Sequence, residues 1–267
     1  MKYLILILSY FFWRFVIPLI KEFYTNCGFL RKNYKGDLIP NSMGIIFVFN
    51  ILLISLGLLS FIGENNFMNI LVFTIGVLTM GFTGLLDDFM GDDNSKGFKG
   101  HMNMLLNFKV TTGGIKAVAG GVVSIFISLI LSSDIADFFI NIIIISLFTN
   151  FLNLLDLRPG RALKGFLTFS ISSLFLISGI FEILLLSFIG VSLAYLPYDI
   201  KGRCMMGDIG SNCLGIVLGI IATSFNINIK ISLAIFLVLT NLYSEKHSIS
   251  TLIQNSKILN FLDEFGR

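Results

Sequence analysis

The stretch "GLLDDFMGDDNSKGFKGH", residues 84–101, decides how the chain is read. Four aspartates, Asp87, Asp88, Asp92 and Asp93, fall within seven residues, directly after about twenty apolar ones. An apolar run of that length is what a helix needs to cross the hydrocarbon core of a bilayer, roughly 20 residues at 1.5 Å each. Asp87–Asp88 therefore closes a hydrophobic helix at the membrane surface. The rest of the 267 residues follows the same pattern, with 55% hydrophobic and 13% charged side chains and a mean hydropathy of +0.88. Ordinary soluble domains carry roughly 25% charged residues, so the class is a polytopic helical membrane protein, with the length spent on spans and short loops.

Nine apolar stretches predict spans at about 3–20, 44–62, 67–86, 117–132, 137–155, 166–178, 181–196, 211–224 and 229–243. The apolar run from 165 to 198 would be about 51 Å long as one straight helix, too long for a bilayer, so a hairpin is expected near Ser178–Gly179. The fold class expected is thus all-α, a polytopic integral membrane protein with about nine transmembrane helices. Of the 19 Lys and Arg residues, 16 fall on one side of this arrangement, in loops 21–43, 87–116, 157–165 and 197–210 and in the tail 244–267. Positive loops stay in the cytoplasm, which puts the N-terminus outside and the C-terminus inside. Residues 1–20 read as a retained first span, because Arg14 and Pro18 interrupt the run and no small-residue cleavage site follows. The domain division is 1–243 for the membrane part and 244–267 for a tail. In that tail Leu252, Ile253, Ile258, Leu259, Leu262 and Phe265 suit an amphipathic helix on the membrane face. Cys27, Cys204 and Cys213 show no metal-ligand spacing.

With that topology four cytoplasmic features lie at one membrane depth: Asp87–Asp88, "TTGGIK" (111–116), "NFLNLLD" (150–156) and "GDIGSNCLG" (207–215). Carboxylates gathered there suit a hard cation, and Mg²⁺ takes one or two carboxylates together with substrate phosphates. Asp87, Asp88 and Asp208 are the supply, Asn153 adds an amide oxygen and Asp156 a further carboxylate. Lys116 lies one helix turn into the membrane, where an ammonium needs an anionic partner. Asp208 opens a helix whose N–H groups and dipole favour an anion. A diphosphate–metal complex at the membrane face satisfies all of them.

These motifs, "GLLDDFMGD…KGFKGH…TTGGIK", "NFLNLLD" and "MMGDIGS", resemble the polyprenyl-phosphate N-acetylhexosamine-1-phosphate transferase family, glycosyltransferase family 4. The loop "RKNYKGDLIPNSMGI" (31–45) also resembles the family's first cytoplasmic loop. The resemblance runs from about Gly36 to Gly215, with the motifs in order. It implies transfer of a sugar-1-phosphate from a UDP-sugar to polyprenyl (undecaprenyl) phosphate, giving polyprenyl-diphospho-sugar and UMP, in cell-wall and peptidoglycan-type synthesis. It implies Mg²⁺ as cofactor, with Asp208 and Asp88 as metal ligands and Asp87, Asp88 and Asp208 as catalytic residues. Lys116, Asn153, Asp156 and His101 then bind substrate. The expected setting is the cell membrane, multi-pass, with the active site on the cytoplasmic face and membrane lipid around it. A homodimer is one assembly open to it, and no nucleic-acid partner is expected.

Three departures bear on the substrate. The family follows its Asn…Asn…Asp stretch with Gly-x-Asp-Gly, whereas here Asp156 precedes "LRPGRALKG", with Pro159 at the second Asp position. Arg158 and Arg161 then stand as substrate-phosphate contacts. The family's histidine-rich loop near the C-terminus is absent, leaving His247 in "SEKHSIS" as its stand-in. Members commonly have ten or eleven spans. A non-catalytic homologue that binds lipid phosphate or nucleotide-sugar is the competing reading. A transporter is disfavoured, because its charges belong at the bilayer midplane.

Overall fold

The computed structural model describes residues 2–60, 66–91 and 111–267. Asp92, Asp93 and His101 lie outside the described residues. Each apolar stretch carries a helix: α1 (Lys2–Asn26), α2 (Ile45–Leu59), α3 (Phe67–Met90), α4 (Thr112–Leu131), α5 (Ile135–Leu155), α6 (Arg161–Ser173), α7 (Ile180–Ile200), α8 (Gly207–Ala222) and α9 (Ile227–Ser244). Two short helices follow, α10 (Ile249–Asn255) and α11 (Lys257–Glu264). The expected break in the 165–198 run falls between Ser173 and Ile180, at Gly179, whose φ is +74°.

The expectation of about nine spans takes a different form. Among the described residues six helices, α1, α3, α4, α5, α7 and α9, are long and apolar enough to cross a membrane. Helices α2 and α8 are apolar but shorter, and α6, with 13 residues, reaches only about 20 Å. The all-α class also needs one amendment. Residues Leu30–Lys32 (β1) and Leu38–Pro40 (β2) pair antiparallel, Arg31 opposite Ile39, between α1 and α2. The turn is closed by Asn33, whose Oδ1 accepts the N–H groups of Lys35 and Asp37 at 2.8 and 2.9 Å. The tail is two helices rather than one, broken at Ser256, whose side chain caps the second.

Helix α8 is the centre of the bundle. Every residue from Ile209 to Ala222 is buried, and α3 and α5 pack along it. On the far side α1 lies along α7, with α2 between α7 and α3. The outer helices show large apolar side chains to their surroundings, Phe11 and Phe15 on α1 and Leu129 on α4 among them, as a lipid-facing surface requires. Between apolar helices, polar contacts and close packing hold the bundle. Asn50 of α2 is one such hub: its Oδ1 accepts from Trp13 Nε1 at 2.8 Å, and its Nδ2 donates to Ser187 Oγ at 3.2 Å. The alternation of chain direction gathers the ends of α3, α5, α7 and α9 and the starts of α4, α6 and α8 at one end of the bundle, beside the hairpin.

Candidate active site

The site begins with two adjacent aspartates on different errands. Helix α3 runs through Asp87 and Asp88 to Met90, so both lie in its last turn. Asp88 reaches across to α8 and accepts the N–H of Asp208 at 2.8 Å and of Ile209 at 3.3 Å. Free N–H groups at a helix start are an anion site by construction, and here a carboxylate of the chain itself fills it. The Ser42 side chain also hydrogen-bonds Asp88, from a buried residue in the left-handed region (φ 58°).

The backbones approach closely enough to require glycine. A Cβ on Gly84 would stand 2.5 Å from the Asp208 carbonyl oxygen, and one on Gly207 (φ +75°) 2.4 Å from an Asp88 carboxylate oxygen. The loop before α8 is tied to the end of β2 and the start of α2 by backbone bonds, Met205 N–H to the Pro40 oxygen and Gly44 N–H to the Met206 oxygen, both 2.8 Å.

Asp208 faces the start of α4. Lys116 Nζ donates to Asp208 Oδ2 at 2.9 Å and stands 3.8 Å from Asp87 Oδ2. Asn153, at the end of α5, joins them when its amide is turned to suit its neighbours. Its oxygen then accepts from Lys116 Nζ at 3.0 Å, and its nitrogen donates to Asp208 Oδ1 at 2.9 Å and to Ser211 Oγ at 3.2 Å. Four helices thus meet within hydrogen-bond distance. Among the described residues no group of three or more His, Cys, Asp or Glu is arranged to hold a metal ion; the ammonium of Lys116 stands among the carboxylates instead.

Two cavities adjoin this junction. One of about 300 Å³ lies between the hairpin, the 156–159 turn and the loop before α8. Its inner wall is acidic, Asp88, Asp156, Asp199 and Asp208, and its outer wall carries Arg31, Lys32, Tyr34 and Arg158. The Arg158 guanidinium lies 5.9 Å from the Tyr34 ring. The second, of about 820 Å³, runs between α4 and α5 from Asp87, Lys116 and Asn153 past Gly113, Ala117, Gly120, Gly121 and Leu147 to Met80. The first is acidic within and basic at its rim; the second is a cleft lined with small and apolar residues beneath a charged mouth.

Asp156 caps α5 and faces the first cavity. Its carboxyl is pushed well above the ordinary carboxylate range, first by desolvation and then by the charges of Asp199, Asp208 and Asp88. The Lys116 ammonium opposes that crowding in part.

The structure therefore brings together Asp87, Asp88, Lys116, Asn153, Asp156, Arg158 and Asp208. It does not bring Arg161 or His247 to them. Arg161 is buried and grips Asp263 of the tail through Nε and Nη2, both at 2.8 Å, with Nη1 on Ser250 Oγ. It lines neither cavity, and the expectation of a phosphate contact gives way to a tail anchor. His247 is exposed, stacks on Tyr243 at 4.9 Å and lines neither cavity. Sequence reasoning missed Asp199, buried at the end of α7 with its Oδ2 accepting the Gly160 N–H at 2.8 Å. The signal was there: like Asp87–Asp88, it is a carboxylate closing an apolar helix. It also missed the hairpin side chains, which carry no such mark.

A phospho-N-acetylmuramoyl-pentapeptide-transferase of Petrotoga mobilis is 29% identical over 258 residues, covering 90% of this chain and 80% of the relative. The sequence model of the family described as Glycosyl transferase family 4 matches residues 70–226, a segment that holds Asp87, Asp88, Lys116, Asn153, Asp156 and Asp208. The chain belongs to glycosyl transferase family 4.

Proposed function

We propose that the protein transfers a sugar-1-phosphate, of an N-acetylhexosamine, from a UDP-sugar to polyprenyl phosphate at the cytoplasmic face of the cell membrane. The observation that carries the reading is the junction itself: a polar cavity and an apolar cleft meet at Asp208, Lys116 and Asn153. A reaction between a water-soluble donor and a lipid acceptor needs that pairing. The cleft between α4 and α5 suits the polyprenyl chain, with its phosphate toward Lys116 and Asp87. The cavity under the hairpin suits the nucleotide-sugar, with Asp156 and Asp199 within and Arg158 and Tyr34 at the rim. The bias of Lys and Arg toward this end supports a cytoplasmic site.

In the reaction an oxygen of the lipid phosphate attacks the β-phosphorus of the donor. The bond to the UMP oxygen breaks, and polyprenyl-diphospho-sugar and UMP result. The lipid phosphate is already largely ionised at neutral pH, so proton removal is a minor task within reach of Asp87. Lys116 steadies phosphate oxygens and leaves its carboxylate partners to do so. The donor set, all oxygen and in negative excess, fits Mg²⁺. Asp208 and Asp88 would hold it, Asp88 keeping a lone pair beside its bonds from Asp208, Ile209 and Ser42. Bound there, the cation offsets charge on the diphosphate. The similarity to a phospho-N-acetylmuramoyl-pentapeptide-transferase and membership of glycosyl transferase family 4 support a phospho-sugar transferase of envelope synthesis.

The test is UMP release by purified protein with undecaprenyl phosphate, Mg²⁺ and a panel of UDP-N-acetylhexosamines. Mg²⁺-dependent UMP that disappears in Asp208→Asn is the expected result. No UMP with any donor, while lipid phosphate still binds, would leave a non-catalytic homologue.

A further inference from the structure

The tail holds the wall of the donor cavity. The turn 156–160 between α5 and α6 supplies Asp156, Arg158 and Pro159 to that cavity. From the membrane bundle it receives one side-chain bond, Asp199 Oδ2 to the Gly160 N–H. Beside its backbone bonds to α5 and the Arg158–Tyr34 contact, further bonds to the turn and to the start of α6 come from the tail. Arg267 Nε donates to the Pro159 carbonyl oxygen at 2.9 Å. Asp263 takes the Arg161 guanidinium in a two-point grip, both bonds 2.8 Å, and also meets Arg267 Nη2 at 2.8 Å. Lys164, one turn further along α6, donates to the carbonyl oxygens of Leu262 and Asp263 at 3.0 and 2.7 Å, where the dipole of α11 favours a cation.

Asp263 and Arg161 are each more than nine-tenths buried. A carboxylate that is buried, shared by two guanidiniums and placed in a short terminal helix is not a surface charge. Fork-to-fork pairing of this kind specifies direction as well as distance. Helix α11 turns Ile258, Phe261 and Phe265 outward, each exposed by more than three fifths. The polar face of the helix is therefore committed to the turn.

We infer that segment 245–267 is a strap that sets the donor-cavity wall, and that Asp263 is a positioning residue for donor binding acting through Arg161 and Arg267. The inference rests on the donor assignment above. With the strap in place, Arg158 is presented to Tyr34 and Asp156 to the junction. Without the grip the turn keeps its Asp199 bond, its backbone bonds to α5 and the Arg158–Tyr34 contact, and the donor meets a loosened wall, while the α4–α5 cleft, which the tail meets at Glu245 and not through Asp263, keeps its helices.

The experiment compares full-length wild type, Asp263→Asn, Asp263→Glu and Arg267→Gln. It measures UMP affinity, and the KM for each substrate with the UDP-N-acetylhexosamine that wild type turns over. Loss of a positioning contact predicts about a tenfold rise in UMP Kd and donor KM for Asp263→Asn. The KM for polyprenyl phosphate stays within about twofold. Asp263→Glu restores most of the donor affinity, and Arg267→Gln moves it in the same direction by less. Unchanged UMP affinity in folded Asp263→Asn overturns the inference, as does an equal rise in both KM values. Should Asp263→Asn fail to fold, Arg267→Gln decides, and wild-type UMP affinity in it overturns the inference. Wild type that binds UMP but releases none defeats the proposed transferase while the affinities still judge the strap. Wild type that binds no UMP defeats both.

Discussion

A lysine–aspartate pair stands beside each end of α5, and the two pairs are built differently. At one end Lys230 Nζ meets Asp137 Oδ1 at 2.6 Å with both side chains at most 7% exposed. The second oxygen of Asp137 takes the Ser133 N–H at 3.1 Å. At the other end Lys116 meets Asp208 at 2.9 Å with exposures of 13% and 31%. Asp87 stands 3.8 Å from the same ammonium, and Asp88 and Asp156 face the cavity that Asp208 lines. The first pair is balanced and closed; the second has too many carboxylates for one cation and opens onto two cavities. A balanced buried pair holds helices together. A lopsided one leaves charge for a visitor to neutralise.

The largest expected effect tests the open end. Asp208→Asn should lower UMP release by about 10³-fold, as loss of a group that stabilises transition-state charge does. Its thermal unfolding should be no lower than wild type, because one of the crowded carboxylates has gone. The closed end should behave in reverse. Asp137→Ala leaves Lys230 buried and alone, a loss of about 3–5 kcal/mol, read as a lower unfolding temperature with kcat per folded molecule unchanged. Replacing both, Asp137→Leu with Lys230→Met, should recover most of that loss, since apolar substitutes for a buried pair are often neutral. If the double variant instead alters kcat, the two ends are coupled and the contrast fails.

Asn153→Ala should fall between, because it removes bonds to two charged groups. A deficit of about 1.5–3 kcal/mol in activation free energy is expected, measured as kcat/KM for the donor. The smallest effect concerns pH and the tail. The guanidiniums of Arg161 and Arg267 hold the Asp263 carboxyl below its ordinary value, against the opposing effect of burial. A depressed carboxyl stabilises above the unfolded value and loses that contribution as pH falls through the folded one. The stability gap between wild type and Asp263→Asn should therefore stay level above pH ~5 and close below pH ~4. A gap that closes in the neutral range would point to a different titrating group.

Apolar length and charge placement are written locally, and those parts of the molecule were legible. The helices sit where the apolar runs do, and the junction residues Asp87, Asp88, Lys116, Asn153 and Asp208 stood out as polar groups at apolar ends. What was not legible depends on partners remote in sequence. The strands of the hairpin are three residues each, too short for alternation to register. Arg161 and Arg158 look alike in "LRPGRALK", yet one faces the cavity and the other faces Asp263, 102 residues away. Glu182 and Arg14, inside predicted spans, proved to pair with Lys2 at 2.7 Å and with the Tyr198 ring at 5.3 Å. Charge can be read from one residue, but its use needs two.

The glycines at Gly84 and Gly207 have a further consequence. Because backbone presses on backbone at Gly84, and the Asp88 carboxylate presses on the backbone at Gly207, the spacing between Asp88 and Asp208 leaves little slack. The centre is a fixed gauge to which any substrate must conform. Under the proposed function, freedom to accept a different sugar lies at the periphery, in the hairpin, the 156–160 turn and the strap. The side chains those parts present can be changed by single substitutions, so attempts to retarget the protein should begin there and leave the gauge alone.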